Sequence, residues 1–168
     1  QPVGDTVFHA ANQSVNCSAS QTRCCGLQAR CPSVVLEADV DRTGARKYDA
    51  YAKWTCASGV DNWRHLKKSD HDLIAAHIFS RIPTLKENDL ILDWGSGCGT
   101  KLRYLEEKFG AQGFGIDLVE SAVQYANMVP GTKSCFCHTD GSRLQWIPNE
   151  TFDHIISFGA FQHLFFNK

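Results

Sequence analysis

Residues 93–100 decide the fold of this chain, and they read Asp-Trp-Gly-Ser-Gly-Cys-Gly-Thr. The continuous apolar run at residues 89–93 is typical of a buried parallel strand, and residues 100–109 have the apolar spacing of a helix. Three alternate glycines between a strand and a helix permit a tight turn, and they let a ligand approach the backbone without a Cβ in between. The helix start adds unpaired N–H groups. The stretch therefore predicts an anion-binding loop between a strand and a helix.

The sequence after this loop alternates between strand and helix patterns. We predict strands at residues 113–117, 134–138 and 152–158, and a helix at residues 120–128 that ends before Pro130-Gly131. Strands that alternate with helices of about ten residues indicate βαβ units and a parallel sheet. The predicted fold class is therefore α/β, with a doubly wound, mainly parallel sheet.

The sequence before the loop divides into two parts. Residues 1–46 are rich in Ser, Gln, Asn, Thr and Cys, and we expect them to be a largely irregular head. Residues 47–168 form the folded domain. Tyr48, Tyr51 and Trp54 recur every three residues, which fits a helix that either packs on the core or covers a ligand pocket. Residues 69–82 predict a further helix, with a capping serine at its start and Pro83 at its end.

The chain contains eight cysteines, and four of them lie in the first 31 residues. These four could form two disulfides with each other, bind a metal or remain free thiols, so the redox compartment stays open. Zinc is the weakest of these readings, because a second pair at finger spacing is missing. We expect Cys98 to serve only as a small side chain in the loop. Cys135 and Cys137 share one strand face and are expected to pack in the core.

The composition excludes several broad classes of protein. Apolar residues make up 43% and charged residues 21%, which is close to the average for folded soluble domains. A net charge of −1 gives no general attraction to nucleic acid or to an anionic membrane surface. No run of about twenty apolar residues is present, so the sequence predicts no membrane span.

Asp117 ends the second predicted strand, 22 residues after Gly95. A carboxylate at this place can accept two hydrogen bonds from a ribose diol, so the loop predicts a nucleoside cofactor. The nicotinamide fingerprint Gly-x-Gly-x-x-Gly/Ala fits poorly, because Thr100 stands where the third small residue should be.

The acid-x-Gly-x-Gly-x-Gly pattern of residues 93–99 resembles motif I of the class I S-adenosylmethionine-dependent methyltransferases. The resemblance extends over roughly residues 69–166. Residues 115–117 are similar to the ribose-binding strand end of that family, and Asp140-Gly141 to the acidic position near the adenine amine. Residues 146–158 resemble the segment leading through the fourth strand, and residues 161–164, Phe-Gln-His-Leu, resemble a motif that often follows it.

This resemblance implies S-adenosyl-L-methionine as the cofactor. It implies that the glycine loop holds the amino-acid half of this cofactor and that Asp117 holds its ribose. It also implies that Leu118 packs on the adenine and that Asp140 and Gly141 hold the adenine edge. The implied binding residues are Asp93, Gly95, Ser96, Gly97, Gly99, Asp117, Leu118, Asp140, Gly141 and Ser157. His163 could be a general base, since the unperturbed pKa of histidine is near 6.5, or it could be structural. No metal is implied.

The resemblance also implies a Rossmann-like sheet of seven strands, of which this chain supplies the N-terminal four. We therefore expect the chain to be a portion of a longer protein. The favoured function is methyl transfer to a small-molecule acceptor, although a lipid head group or a protein stays open. The alternatives are a non-catalytic nucleoside-cofactor-binding module and a nicotinamide-dependent oxidoreductase. The oligomeric state and the compartment are not predicted.

Overall fold

The described part of the chain includes four strands and three helices with complete bounds, and residues 49, 50, 52, 53 and 56 are also helical. A computed structural model describes residues 22–32, 49, 50, 52, 53, 56, 84–141 and 144–160. The elements are α1 (Thr22–Gln28), β1 (Leu90–Trp94), α2 (Thr100–Phe109), β2 (Gln112–Asp117), α3 (Glu120–Met128), β3 (Cys135–His138) and β4 (His154–Ile156). The four strands and the helices α2 and α3 match the sequence prediction to within two residues at each end. The helix predicted at residues 69–82 lies outside the described residues.

The four strands form one parallel sheet in the order β3-β2-β1-β4. Asp93 on β1 is in register with Gly115 on β2 and with Ile156 on β4. The chain therefore runs outward from β1 to β3 and then returns to the opposite side of β1. In doubly wound sheets, ligands bind at the carboxyl ends of the strands where the strand order reverses in this way. The α/β doubly wound prediction is confirmed.

Helices α2 and α3 cover one face of the sheet. Both helices bury apolar side chains against Ile91, Phe136 and Ile156 of the sheet. The buried helix residues are Leu102, Leu105, Val123 and Ala126. Helix α2 ends at Gly110, which has φ 70° and donates its N–H to the Glu106 carbonyl, a common way for a helix to end. Within the described residues, no helix combines the length and apolar character that crossing a bilayer requires.

The opposite face of the sheet is covered by α1 and by residues 144–152. Cys24 and Leu27 of α1 are buried against Phe114, and the Cys24 thiol donates to the Gly113 carbonyl at 3.1 Å. Burial raises the pKa of the Cys24 thiol, because the thiolate loses its hydration there. The sequence predicted a largely irregular segment here, whereas the described residues of that segment include a helix that packs on the domain.

One disulfide connects the N-terminal head to the domain, and a second lies within residues 47–168. Cys31 bonds to Cys137 with their Cα atoms 5.8 Å apart, and Cys56 bonds to Cys98 at 5.7 Å. Cys98 is thus not merely a small loop side chain, and Cys31 pairs outside the head rather than within it. Cys135 and Cys137 are buried on one strand face as expected, with Cys135 a free thiol. Among the described residues, no three potential metal ligands lie together.

Candidate functional site

The glycine loop follows β1 directly and turns sharply at the carboxyl edge of the sheet. Gly95, Gly97 and Gly99 have φ values of 78°, 56° and 75°, in the left-handed region that L-residues other than glycine rarely adopt. The N–H groups of Gly95 and Ser96 both donate to the Ile116 carbonyl, at 2.9 and 3.0 Å. The loop is therefore tied to the end of β2 before α2 begins.

The three glycines differ in what surrounds them. A Cβ on Gly95 would overlap the Cβ of Ala160, and a Cβ on Gly99 would overlap the ring of Phe136. Neither position has room for a side chain. By contrast, no neighbouring atom of the described residues lies within 4 Å of the place where a Cβ of Gly97 would be. Gly97 therefore presents the open side of the loop, from which a ligand can reach the backbone.

Asp93, the acid before the loop, is fully buried. Lys101 Nζ lies 3.2 Å from Asp93 Oδ2. Burial raises the pKa of Asp93 to about 6, although the Lys101 ammonium acts in the opposite direction. Within the described residues, neither Asp93 Oδ1 nor the buried Ser96 Oγ has a hydrogen-bond partner. Buried polar atoms normally have partners, so this end of the loop can receive a polar ligand.

Asp117 lies at the end of β2 and is half-buried. Its Oδ2 accepts the N–H of Gly97 at 2.7 Å, and its Oδ1 accepts the N–H of Val119 at 2.8 Å. A carboxylate has about four acceptor positions, so two hydroxyl groups can still donate to it. The sequence predicted a ligand contact for Asp117, and the structure adds that Asp117 holds the glycine loop.

The loop after β3 approaches the glycine loop from the other side. His138 Nε2 lies 3.0 Å from the Leu118 carbonyl and joins the ends of β2 and β3. Gly141 has φ 70°, and its carbonyl accepts the indole N–H of Trp94 at 3.4 Å. Asp140 and Gly141 are thereby placed at the same edge of the sheet as Asp117.

The segment after β4 closes the other side of β1. Ser157 Oγ donates to the Trp94 carbonyl at 2.8 Å, so Ser157 lies beside the start of the glycine loop. His163 and the rest of residues 161–168 lie outside the described residues. The ten residues expected to bind cofactor are all described, and they lie in four segments at the carboxyl edge of one sheet.

Sequence reasoning missed three features of this site. The first is the ion pair of Lys101 with Asp93. Its available signal was a lysine in the first turn of the predicted helix, eight residues after a buried acid. Trp94 was quoted only as a spacer between Asp93 and Gly95. No local sequence pattern pairs Cys56 with Cys98, because 42 residues separate them.

Comparison with known families identifies the domain type. Residues 91–168 match a family model described as a methyltransferase domain. Over 81 residues, the chain is 37% identical to the phosphoethanolamine N-methyltransferase of Plasmodium falciparum. The aligned region covers 48% of this chain and 30% of that protein.

The chain also resembles solved structures of methyltransferases. A chain from the complex of the Haloferax volcanii Trm112 methyltransferase activator with a methyltransferase has a TM-score of 0.53 and 31% identity, covering 68% of this chain and 48% of that chain. Phosphoethanolamine N-methyltransferase 2 of Haemonchus contortus, in complex with phosphomonomethylethanolamine and S-adenosylhomocysteine, has a TM-score of 0.50 and 26% identity. It covers 55% of this chain and 22% of that one. The chain thus spans less than half the length of these relatives.

The described residues fit the cofactor of these relatives. The loop glycines have positive φ values, and the loop is open at Gly97. Among the described residues, Asp93 Oδ1 and Ser96 Oγ have no hydrogen-bond partner. These features suit a ligand with a charged amino-acid end. The nicotinamide alternative is set aside, because both the family model and the relatives are methyltransferases. Residues 91–168 therefore resemble the class I S-adenosylmethionine-dependent methyltransferases in both sequence and fold, and the cofactor of that family is S-adenosyl-L-methionine.

Proposed function

We propose that the protein containing this chain is an enzyme that transfers the methyl group of S-adenosylmethionine to a small-molecule acceptor. One observation carries the proposal. The glycine loop, Asp117 and the Asp140-Gly141 loop converge at the carboxyl edge of the sheet, beside the strand where the order reverses. This is the place where doubly wound folds bind nucleotides.

We assign a role to each part of this edge. The N–H groups and open side of the glycine loop, with Asp93 and Ser96, hold the amino-acid half of the cofactor. Asp117 accepts the two ribose hydroxyls, and Leu118 packs on the adenine. Asp140 and Gly141 bind the adenine edge, and Ser157 borders the site beside β1. His163 is proposed as a general base for the acceptor.

The cofactor supplies a sulfonium-bound methyl group that is already activated for transfer. The protein then needs chiefly to hold the two reactants in line and to exclude water, which can account for most of the rate enhancement of a two-reactant step. The structure suits this task, because the loop is tied to β2 through Ile116 and Asp117 rather than held by its own contacts alone.

The relatives suggest which acceptors to test first. The Plasmodium falciparum and Haemonchus contortus proteins are phosphoethanolamine N-methyltransferases by name. A small amine that carries a phosphate is therefore the first acceptor class to test. The assay measures transfer of radiolabelled methyl from S-adenosylmethionine to phosphoethanolamine by the full-length protein that contains residues 1–168. Ethanolamine, a lipid head group and a protein extract are compared in parallel.

Two glycine variants form a matched test of the cofactor site. Gly97 and Gly131 have φ values of 56° and 79°, and in the described part of the chain neither has a neighbouring atom within 4 Å of the place where a Cβ would be. Alanine at either position therefore introduces similar backbone strain, on the order of 1 kcal/mol, without a steric overlap. We expect both variants to lose similar stability, but only Gly97→Ala to weaken S-adenosylhomocysteine binding, by tenfold or more. Equal affinity in the two variants would contradict the assignment of the loop.

A further inference from the structure

Trp94 contacts three segments at the carboxyl edge of the sheet. It ends β1, and the glycine loop follows it in the chain. Its carbonyl accepts Ser157 Oγ at 2.8 Å, and its indole N–H points at the Gly141 carbonyl at 3.4 Å. Its side chain is partly buried among the apolar residues of the sheet face that α1 covers.

Trp94 and Gly141 interact mainly by close packing and only weakly by a hydrogen bond. The separation of 3.4 Å is long for N–H···O, so the bond alone contributes little. However, a Cβ on Gly141 would overlap Trp94 Nε1 and would lie 3.0 Å from Cε2. The indole edge therefore lies directly against the Gly141 backbone, and the backbone can approach it because residue 141 has no side chain.

We propose that Trp94 is a positioning residue that holds the Asp140-Gly141 loop and thereby sets the preference of the site for adenine over other purine bases. This inference rests on the proposed function, in which that loop binds the adenine edge. Trp94 acts through the loop, because its indole lies against the Gly141 backbone. Hypoxanthine has a carbonyl oxygen in place of the 6-amine of adenine and carries a proton on N1, so the two bases differ along one hydrogen-bonding edge. Discrimination between them therefore depends on the placement of the loop at that edge.

Trp94→Phe tests the inference, because phenylalanine keeps an aromatic ring but lacks the indole edge that lies against Gly141. Trp146→Phe is the matched control. Trp146 packs on the same face of the sheet, with its ring centroid 5.9 Å from that of Phe114, and is not among the residues that we assign to the cofactor site. Binding of S-adenosylhomocysteine and S-inosylhomocysteine is measured by titration calorimetry on the full-length protein, after urea denaturation confirms that each variant is folded.

We expect the wild type to prefer S-adenosylhomocysteine and Trp94→Phe to reduce the ratio of the two affinities at least threefold. Trp146→Phe should leave that ratio within twofold of the wild type. A Trp94→Phe variant that binds both ligands more weakly by the same factor would show a merely structural role and overturn the inference. A wild type that binds S-adenosylhomocysteine without discriminating between the bases would also overturn it. A wild type that binds neither ligand would overturn the proposed function itself.

A double-mutant cycle provides an independent measurement. Gly141→Ala places a Cβ against the indole, and Trp94→Phe removes the indole Nε1 that this Cβ would overlap. The loss of S-adenosylhomocysteine affinity caused by Gly141→Ala should therefore be at least threefold smaller in the Trp94→Phe background. Additive effects of the two substitutions would show that the residues are not coupled and would overturn the proposal.

Discussion

Replacing Asp117 should damage both the glycine loop and the cofactor site. Its two carboxylate oxygens accept the N–H groups of Gly97 and Val119, at 2.7 and 2.8 Å. Hydrogen bonds to a charged group contribute roughly 1.5–3 kcal/mol each, and the lower value applies to a half-buried carboxylate. Asp117→Ala should therefore lower the free energy of unfolding by about 3 kcal/mol in the absence of cofactor.

The conservative variant separates the two contacts. The amide oxygen of Asp117→Asn can still accept one of the two N–H groups, so the loss should be about 1.5 kcal/mol. Glu107→Ala is the control, because Glu107 is an exposed carboxylate on α2, and surface substitutions of this kind usually change stability by less than about 0.5 kcal/mol.

Urea denaturation gives the unfolding free energies, and calorimetry with S-adenosylhomocysteine gives the affinities. We expect Asp117→Ala to weaken binding at least tenfold, since one order of magnitude corresponds to about 1.4 kcal/mol, which is less than one charged hydrogen bond. If Asp117→Ala matches Glu107→Ala in both stability and affinity, then Asp117 neither holds the loop nor binds the ribose, and the reasoning is refuted.

Three further predictions concern other parts of the domain. Replacing Cys56 and Cys98 together by serine should lower the free energy of unfolding by about 4 kcal/mol in the chain-entropy model, because the bond closes a loop of 42 residues. A dithiol reductant should therefore destabilise the wild type more than it destabilises this variant, in which the bond is already missing. Gly115→Ala should lower the free energy of unfolding by about 1–3 kcal/mol, because its Cβ would overlap the ring of Phe136. An unchanged unfolding free energy in urea denaturation would contradict this packing. Burial raises the pKa of Asp93 from 3.8 to about 6, so the folded state binds the proton more tightly than the unfolded state, and wild-type stability should fall relative to Asp93→Asn as the pH rises from about 4 to about 6. A stability difference that is constant over this pH range would show that Asp93 is not perturbed.

The sequence was informative wherever structure depends on local pattern. The apolar run before Asp93, the helix spacing after Gly99 and the acid at the end of the next strand are all readable along the chain, and they led to the sheet and the glycine loop. The start of β3 is one residue later than predicted, because the Ser134 N–H is taken by the Glu106 carboxylate at 2.9 Å instead of by a neighbouring strand.

The features that the sequence did not predict depend on contacts between distant residues. Cys31 and Cys137 are separated by 106 residues, so their spacing contains no information about pairing. The glycine at residue 141 looks like an ordinary turn residue until the indole of Trp94 is seen against it. Only a three-dimensional arrangement shows that these positions constrain each other.

Calorimetric titration of the folded protein with S-adenosylhomocysteine, and separately with NADH, tests the central claim most directly. The loop geometry, the open side at Gly97 and the acceptor capacity of Asp117 predict saturable binding of one S-adenosylhomocysteine per chain and no binding of NADH. Saturable binding of NADH without binding of S-adenosylhomocysteine would contradict the account.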